Sequence, residues 1–162
     1  MRFRFLLAGL LAFVPLNAKA YDDPKSLVSA IYAPYLSGQK HPNIEAFYSV
    51  RLKQLFADNV LRQGTDETGA PVDLEAPGAV PFDPFIEGTN AHILDVAIDD
   101  PVVMGERALT IVSFYNFDEP LLLSIAMLRE ADGWKVDDIA SMGRTENWLL
   151  SWLLQFDPFE VK

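Results

Sequence analysis

The chain has 162 residues, a formal net charge of −10 and no cysteine. The excess of acidic residues argues against binding to nucleic acids or to anionic membrane surfaces, because both need a basic patch. A chain without cysteine forms no disulfide bonds, so the burial of a hydrophobic core must supply its stability.

The first 20 residues have the three-part layout of a secretory signal peptide. Arg2 and Arg4 precede the apolar run 6–16, and small residues stand at a cleavage site before Tyr21. The apolar run is short for a membrane span. We therefore expect cleavage after Ala20, export to the periplasm, and a single α+β domain at 21–162 without a membrane span. Cleavage removes three of the 13 basic residues and leaves 10 against 23 acidic residues, a formal net charge of −13.

Residues 24–61 form the helical half of the predicted domain. Asp23 followed by Pro24 is a typical helix start, and apolar residues at helical spacing continue to a stop at Gly38. Ser49 is the predicted N-cap of a second helix. The buried stripe of that helix is expected to contain Leu52, Leu55, Phe56 and Val60.

A long surface loop at 62–81 and a sheet half at 82–141 follow. The loop is rich in glycine, proline and acidic residues and has no periodicity. Alternating apolar residues predict strands near 91–99, 107–117, 121–130 and 134–140. The turns between them are short, so the sheet is expected to be antiparallel, and Asp132 followed by Gly133 is a strong hairpin signal. The strand at 107–117 is apolar on both faces, which predicts a central strand covered on both sides.

Residues 146–156 predict an amphipathic C-terminal helix with an unusually large apolar face. We interpret Trp148, Leu149, Trp152 and Leu153 as an interaction surface. One alternative is that this face packs on the second face of the sheet. The others are that it forms a homodimer contact or binds another protein.

Five segments are similar to those of a known family: IYAPYLSG (31–38), SVRLKQLF (49–56), FDPFIEG (82–88), VSFYNFDEP (112–120) and DGWKVDDI (132–139). In their order they resemble the nuclear-transport-factor-two-like (cystatin-like) superfamily, and more narrowly a family of exported bacterial proteins of unknown function. The resemblance implies a curved antiparallel sheet of about four strands, with N-terminal helices on its concave face and a pocket at the open end. The superfamily contains isomerases, dehydratases and binding modules, so the fold does not select a function.

The candidate catalytic residues are His92, Asp138, Asp83 and Tyr115. Strand parity places Asp138 on the face of Trp134 and Val136, and if His92 shares that concave face, an imidazole and a carboxylate lie near an apolar pocket. Burial there shifts pKa values toward acid–base use. The alternative is that His92 is solvated, that Asp138 pairs with a basic residue, and that Asp83 caps a turn. The chain has no phosphate-loop, HExxH or GxSxG motif, and we expect neither a cofactor nor a metal.

Six aromatic residues are the candidate lining of a ligand pocket: Tyr32, Tyr35, Tyr48, Phe82, Phe85 and Trp134. The alternative is that they are core residues. The leading interpretation is a non-catalytic periplasmic domain that binds a small molecule or a protein partner. A small lyase or isomerase is the first alternative. The second is an acidic immunity or inhibitor protein that uses its negative charge to attract a basic toxin.

Overall fold

The computed structural model describes residues 20–39, 43–63, 80, 82–143 and 147–156. Its helices are α1 (Pro24–Leu36), α2 (Val50–Gln63) and α3 (Leu150–Gln155), and a 3-10 helix (Ile44–Phe47) precedes α2. Its strands are β1 (Ile93–Ile98), β2 (Val102–Met104), β3 (Arg107–Asn116), β4 (Glu119–Glu130) and β5 (Gly133–Met142). Residues 1–19 of the predicted signal peptide and most of the predicted 62–81 loop lie outside these residues. Within them, no helix is long and apolar enough to cross a membrane.

Side-chain caps set the starts of both long helices, as the sequence predicts. Asp23 Oδ1 accepts the N–H of Ser26 at 2.9 Å at the start of α1. Ser49 Oγ accepts the N–H of Leu52 at 3.0 Å at the start of α2. Each bond satisfies one of the N–H groups that the first turn of a helix leaves unpaired. Beyond the end of α1, Gly38 adopts a φ of 69°, which a residue without a side chain adopts readily.

The sheet is antiparallel, curved and open, and its strand order is β1-β3-β4-β5, with β2 paired to the other end of β3. The α+β fold class is therefore confirmed, with five strands instead of about four. One face of the sheet forms the core. α1 packs in this core through residues that are at most 3% exposed, namely Leu27, Val28, Ile31, Tyr32 and Tyr35.

The other face of the sheet is only partly covered. Leu109 and Tyr115 of β3 are 42% and 45% exposed, and Leu94 on the neighbouring β1 is 48% exposed. The expectation that the strand at 107–117 is covered on both sides is therefore wrong. Apolar composition on both faces of a strand does not require two covering layers, because much of the surface of a folded protein is apolar.

A bulge at Asp137 changes which residues of β5 face the core. Between Val136 and Asp138 the pairing advances by two residues on β5 but by one on β4, so Asp137 is an extra residue. Trp134 and Val136 before the bulge and Ile139 after it are at most 3% exposed. Asp138 therefore points to the opposite face, and the expectation that it shares a face with Trp134 and Val136 is wrong.

Three distant segments of the chain pair with the outer edge of β5. The backbone hydrogen bonds join Trp134 to Tyr21 at 2.8 Å, Val136 to Ser49 at 2.8 Å and Ser141 to Trp148 at 2.9 Å. The segments that lead into α1, α2 and α3 are thereby all attached to one strand.

α3 packs beside β5 and against α2. Leu150 and Leu154 are at most 1% exposed, and Asn59 of α2 donates from Nδ2 to the carbonyl of Leu154 at 3.0 Å. The helix leaves Leu109 and Tyr115 on the second face of the sheet exposed, so it does not cover that face at β3. It is also shorter than the predicted 146–156.

Asp138 caps α3 from the neighbouring strand. Its carboxylate accepts the N–H of Ser151 at 3.0 Å, the Ser151 hydroxyl, and the N–H of Ile139 at 2.9 Å.

Because Asp138→Ala leaves these donors without their acceptor, we expect the free energy of unfolding to fall by about 2 kcal/mol in urea titrations. Asp138→Asn keeps one acceptor oxygen and should lose about half of that. The control Asp58→Ala, at an exposed position of α2, should change stability by less than about 0.5 kcal/mol. An Asp138→Ala variant as stable as this control would contradict the capping role.

Candidate functional site

A cleft of about 410 Å³ opens between the 3-10 helix, α2 and the turn at 82–91. We call it the Tyr48 cleft. Its apolar walls include Ile44, Phe56, Phe82, Ile86 and Ala91. Its polar groups include the carboxylates of Glu45 and Asp83 and the hydroxyls of Tyr35 and Tyr48. Apolar walls with a few convergent polar groups are typical of ligand sites.

Asp83 holds the turn at 82–91 in place. Its Oδ1 accepts the N–H of Phe85 at 2.9 Å, and its own N–H donates to the carbonyl of Gly88 at 3.0 Å. The hydroxyl of Tyr35 on α1 donates to Asp83 Oδ2. Asp83 therefore caps the turn, as the alternative interpretation proposed, and its carboxylate also lines the cleft.

Tyr48 lies between this cleft and a second one of about 470 Å³ along α2. Its ring stacks on Phe56 with 5.3 Å between ring centroids and 10° between planes. Tyr48 is 2% exposed, and its hydroxyl makes no hydrogen bond to any residue in the described ranges. Burial, followed by the negative charges of Asp83 and Glu45, raises the pKa of Tyr48 well above its ordinary value. The hydroxyl therefore stays neutral at physiological pH and is a buried donor near two carboxylates.

Tyr32 and Tyr35 extend this tyrosine cluster into the core. The Tyr32 hydroxyl donates to the carbonyl of Phe85 at 2.9 Å. Burial raises the pKa of both residues, and the charge of Asp83 raises each further. For Tyr35 the hydrogen bond to Asp83 contributes as well, because ionisation would break it.

The four candidate catalytic residues do not come together. His92 is exposed before β1, with its ring 5.6 Å from that of Phe117, and Tyr115 is exposed on the outer face of β3. Asp138 lies on β5, which β3 and β4 separate from β1, so three strand spacings place it roughly 14 Å or more from His92. Asp138 forms an ion pair of 3.8 Å with Arg51, which matches its alternative interpretation. Of the four candidates, Asp83 alone lines the Tyr48 cleft.

The candidate ligand-binding aromatic residues divide into two groups. Tyr35, Tyr48 and Phe82 line the Tyr48 cleft. Tyr32, Phe85 and Trp134 are core residues with exposures of 1%, 0% and 3%.

The predicted interaction surface is exposed in part. Leu149 and Trp152 are 42% and 44% exposed, and the ring of Trp152 contacts that of Phe156 at 5.5 Å. Leu153 and Trp148 are half-buried. Trp148 packs on Phe82 at 5.3 Å and is thereby tied to the turn that lines the cleft.

Sequence reasoning missed Glu45 and placed Phe56 in a buried stripe. Leu52 is the fully buried member of that stripe, and Phe56 is half-buried in the cleft wall. The four-residue 3-10 helix that carries Glu45 is too short for apolar periodicity to reveal. The sequence feature that could have indicated Glu45 is its position between Ile44 and the aromatic residues Phe47 and Tyr48.

The described residues of the cleft do not form a recognisable metal site. It offers the carboxylates of Glu45 and Asp83 as anionic ligands. Across the described part of the chain, no three His, Asp or Glu side chains are grouped to hold a metal ion.

Comparisons with known proteins give a structural likeness but no family. No protein-family model matches the sequence, and no curated protein matches it. Among solved structures, the chain is similar to a chain of the type VI native effector–immunity complex Tae3–Tai3 from Ralstonia pickettii. The two are 14% identical with a TM-score of 0.47, over 78% of this chain and 100% of the other. Such values identify neither a family nor a function, and the resemblance to the nuclear-transport-factor-two-like superfamily stays a prediction.

Proposed function

We propose that this protein is an exported, non-catalytic binding domain and that its ligand site is the Tyr48 cleft. The observation that carries the proposal is the hydroxyl of Tyr48. It is buried at the cleft and has no hydrogen-bond partner in the described ranges. An unpaired buried hydroxyl costs about 1–3 kcal/mol, and a ligand that forms a hydrogen bond with it recovers part of that free energy.

The described residues that line the Tyr48 cleft favour ligand binding over catalysis. Asp83 is occupied by Tyr35 and the N–H of Phe85, and the described lining contains no histidine. The lyase or isomerase alternative depended on His92 and Asp138 lying near a pocket, and they lie at opposite edges of the sheet. Export is supported by the signal-peptide layout of residues 1–20, and periplasmic location is part of the proposal.

The acidic immunity or inhibitor function is the second candidate. It is favoured by the formal net charge of −10, which becomes −13 after loss of three basic residues with the signal peptide. Such a charge accelerates encounter with a basic protein. On this alternative the ligand of the cleft is a side chain of the partner protein.

A fragment screen followed by two-dimensional NMR tests the proposal. Fragments that bind are expected to shift the amide resonances of Tyr48, Phe56 and Ile86 together. Tyr48→Phe removes the hydroxyl and keeps the ring, so it should weaken their binding about three- to tenfold. Tyr115→Phe removes an exposed hydroxyl on the outer face of the sheet and should leave binding unchanged. Fragments that bind only around Trp152, or equal affinity for both variants, would refute the assignment of the site.

A further inference from the structure

We infer that the Tyr48 cleft recognises a cationic group, a guanidinium or an ammonium, attached to an apolar stem. This inference rests on the proposed binding function and adds the chemical class of the ligand. It depends on the charge of the cleft, on the geometry of its aromatic wall and on the unpaired hydroxyl of Tyr48, whose oxygen can accept an N–H of the cation.

Among the described residues, the two charged groups that line the Tyr48 cleft are both negative. Asp83 lies on the turn at 82–91, and Glu45 lies on the 3-10 helix. The charges of both carboxylates act on the Tyr48 hydroxyl, so each of them lies within electrostatic reach of that hydroxyl. A cation between them is attracted by two charges in partly buried surroundings, whereas an anion is repelled by both.

The position of Asp83 is fixed before any ligand binds. The hydroxyl of Tyr35 and the N–H of Phe85 hold its two oxygens in one orientation. A carboxylate held in this way loses little conformational freedom on binding, which is the usual benefit of preorganisation. Glu45 is exposed and adjustable, so it suits the second contact at the rim.

The aromatic wall suits the stem and the planar face of a guanidinium. Tyr48 is stacked between Phe56 and Phe85, so the aromatic face on offer to a ligand is the one that Phe56 turns away from Tyr48. Phe82 and Ile86 add apolar surface. Cations bind favourably over aromatic faces, and guanidinium groups also stack on them. In the part of the chain that the structure describes, a basic residue, Lys53, lines the second cleft together with Glu45. Asp83 is therefore expected to contribute more to cation binding than Glu45.

Matched cationic and neutral probes test the inference. Benzamidine and its neutral analogue benzamide have nearly the same shape, and isothermal titration with the purified protein should show benzamidine binding about tenfold more tightly. The preference should shrink at high salt. A blocked peptide with one arginine, compared with the same peptide carrying citrulline, shows whether the cation is accepted from a polypeptide.

Single substitutions test which carboxylate produces the preference for benzamidine over benzamide. Asp83→Asn keeps an oxygen for the N–H of Phe85 and should abolish most of the preference for benzamidine, with Glu45→Gln giving a smaller loss. Asp58→Asn removes a charge on the exposed side of α2 and should leave the preference intact. Circular dichroism checks that each variant is folded.

The possible outcomes distinguish a failure of the cation inference from a failure of the proposed binding function. Equal binding of benzamidine and benzamide in the cleft would overturn the cation inference and leave the binding function standing. Failure of every probe and fragment to reach the cleft would overturn both. A preference for the arginine peptide over the citrulline peptide, lost in Asp83→Asn, supports a protein ligand.

Discussion

Raising the pH from 9 to 11 is expected to remove about 4 kcal/mol from the free energy of unfolding. Burial, first of all, raises the pKa of Tyr32, Tyr35 and Tyr48 above the ordinary value near 10. Their stabilising contribution is present below pH 10, where both folded and unfolded chains are protonated. It is lost as the pH rises further, because the unfolded chain releases protons that the folded chain keeps. At pH 11 each of the three tyrosines has therefore lowered the free energy of unfolding by about 1.4 kcal/mol.

Urea titrations at pH 9, 10 and 11 measure this loss, and absorbance at 295 nm reports tyrosinate in each state. Tyr48→Phe removes one of the three buried ionisations and should reduce the pH dependence by about a third. A free energy of unfolding that is unchanged between pH 9 and 11 would show that these hydroxyls reach solvent in the folded protein. That result would also weaken the case for an enclosed Tyr48 cleft.

Asn116→Ala is expected to lower the free energy of unfolding by about 3 kcal/mol. The side chain of Asn116 makes three hydrogen bonds to backbone groups: it accepts the N–H of His92 at 2.9 Å and donates to the carbonyls of Ile86 and Asn90, each at 3.1 Å. Asn116 is 8% exposed, so its loss leaves these groups unpaired in a largely buried place. The control Asn90→Ala keeps the backbone carbonyl and alters only an exposed side chain. It should change stability by less than about 0.5 kcal/mol.

Asn116→Ala is also expected to affect binding in the Tyr48 cleft. Asn116 lies at the end of β3, and two of its three partners, Ile86 and Asn90, belong to the turn that forms one wall of the Tyr48 cleft. Asn116→Ala should therefore weaken fragment binding in the cleft even under conditions where the protein remains folded. Wild-type binding in a destabilised variant would mean that Asp83 alone holds the turn.

Local chemistry made much of the fold predictable. Asp23 and Ser49 cap the helices as expected, because a capping side chain acts on the three residues that follow it. The hairpin near Asp132 and Gly133 forms as expected, with Gly133 at a φ of 110°. These signals lie within a few residues of the structure that they determine.

The candidate site was less predictable because it depends on contacts between distant segments. Asp137 and Asp138 continue the alternation of β5 in sequence, and nothing local shows that one of them is the extra residue of a bulge. Ser49 and Arg51 both bond to Asp137 from another part of the chain. The Tyr48 cleft likewise combines residues from α1, the 3-10 helix, α2 and the turn at 82–91, and single-chain periodicity cannot bring these together.

The pairing of three chain segments with β5 also bears on self-association. An open strand edge exposes unpaired N–H and C=O groups that can hydrogen-bond to a strand of a second molecule. Hydrogen bonds to Tyr21, Ser49 and Trp148 occupy backbone groups along that edge of β5. At the opposite edge, a bulge at Asp95, whose φ is 54°, and Pro101 interrupt the run through β1 and β2. Irregular backbone and proline are devices that discourage strand addition. Both edges therefore resist edge-to-edge aggregation, and any homodimer is expected to form through side-chain surfaces without a continuous intermolecular sheet.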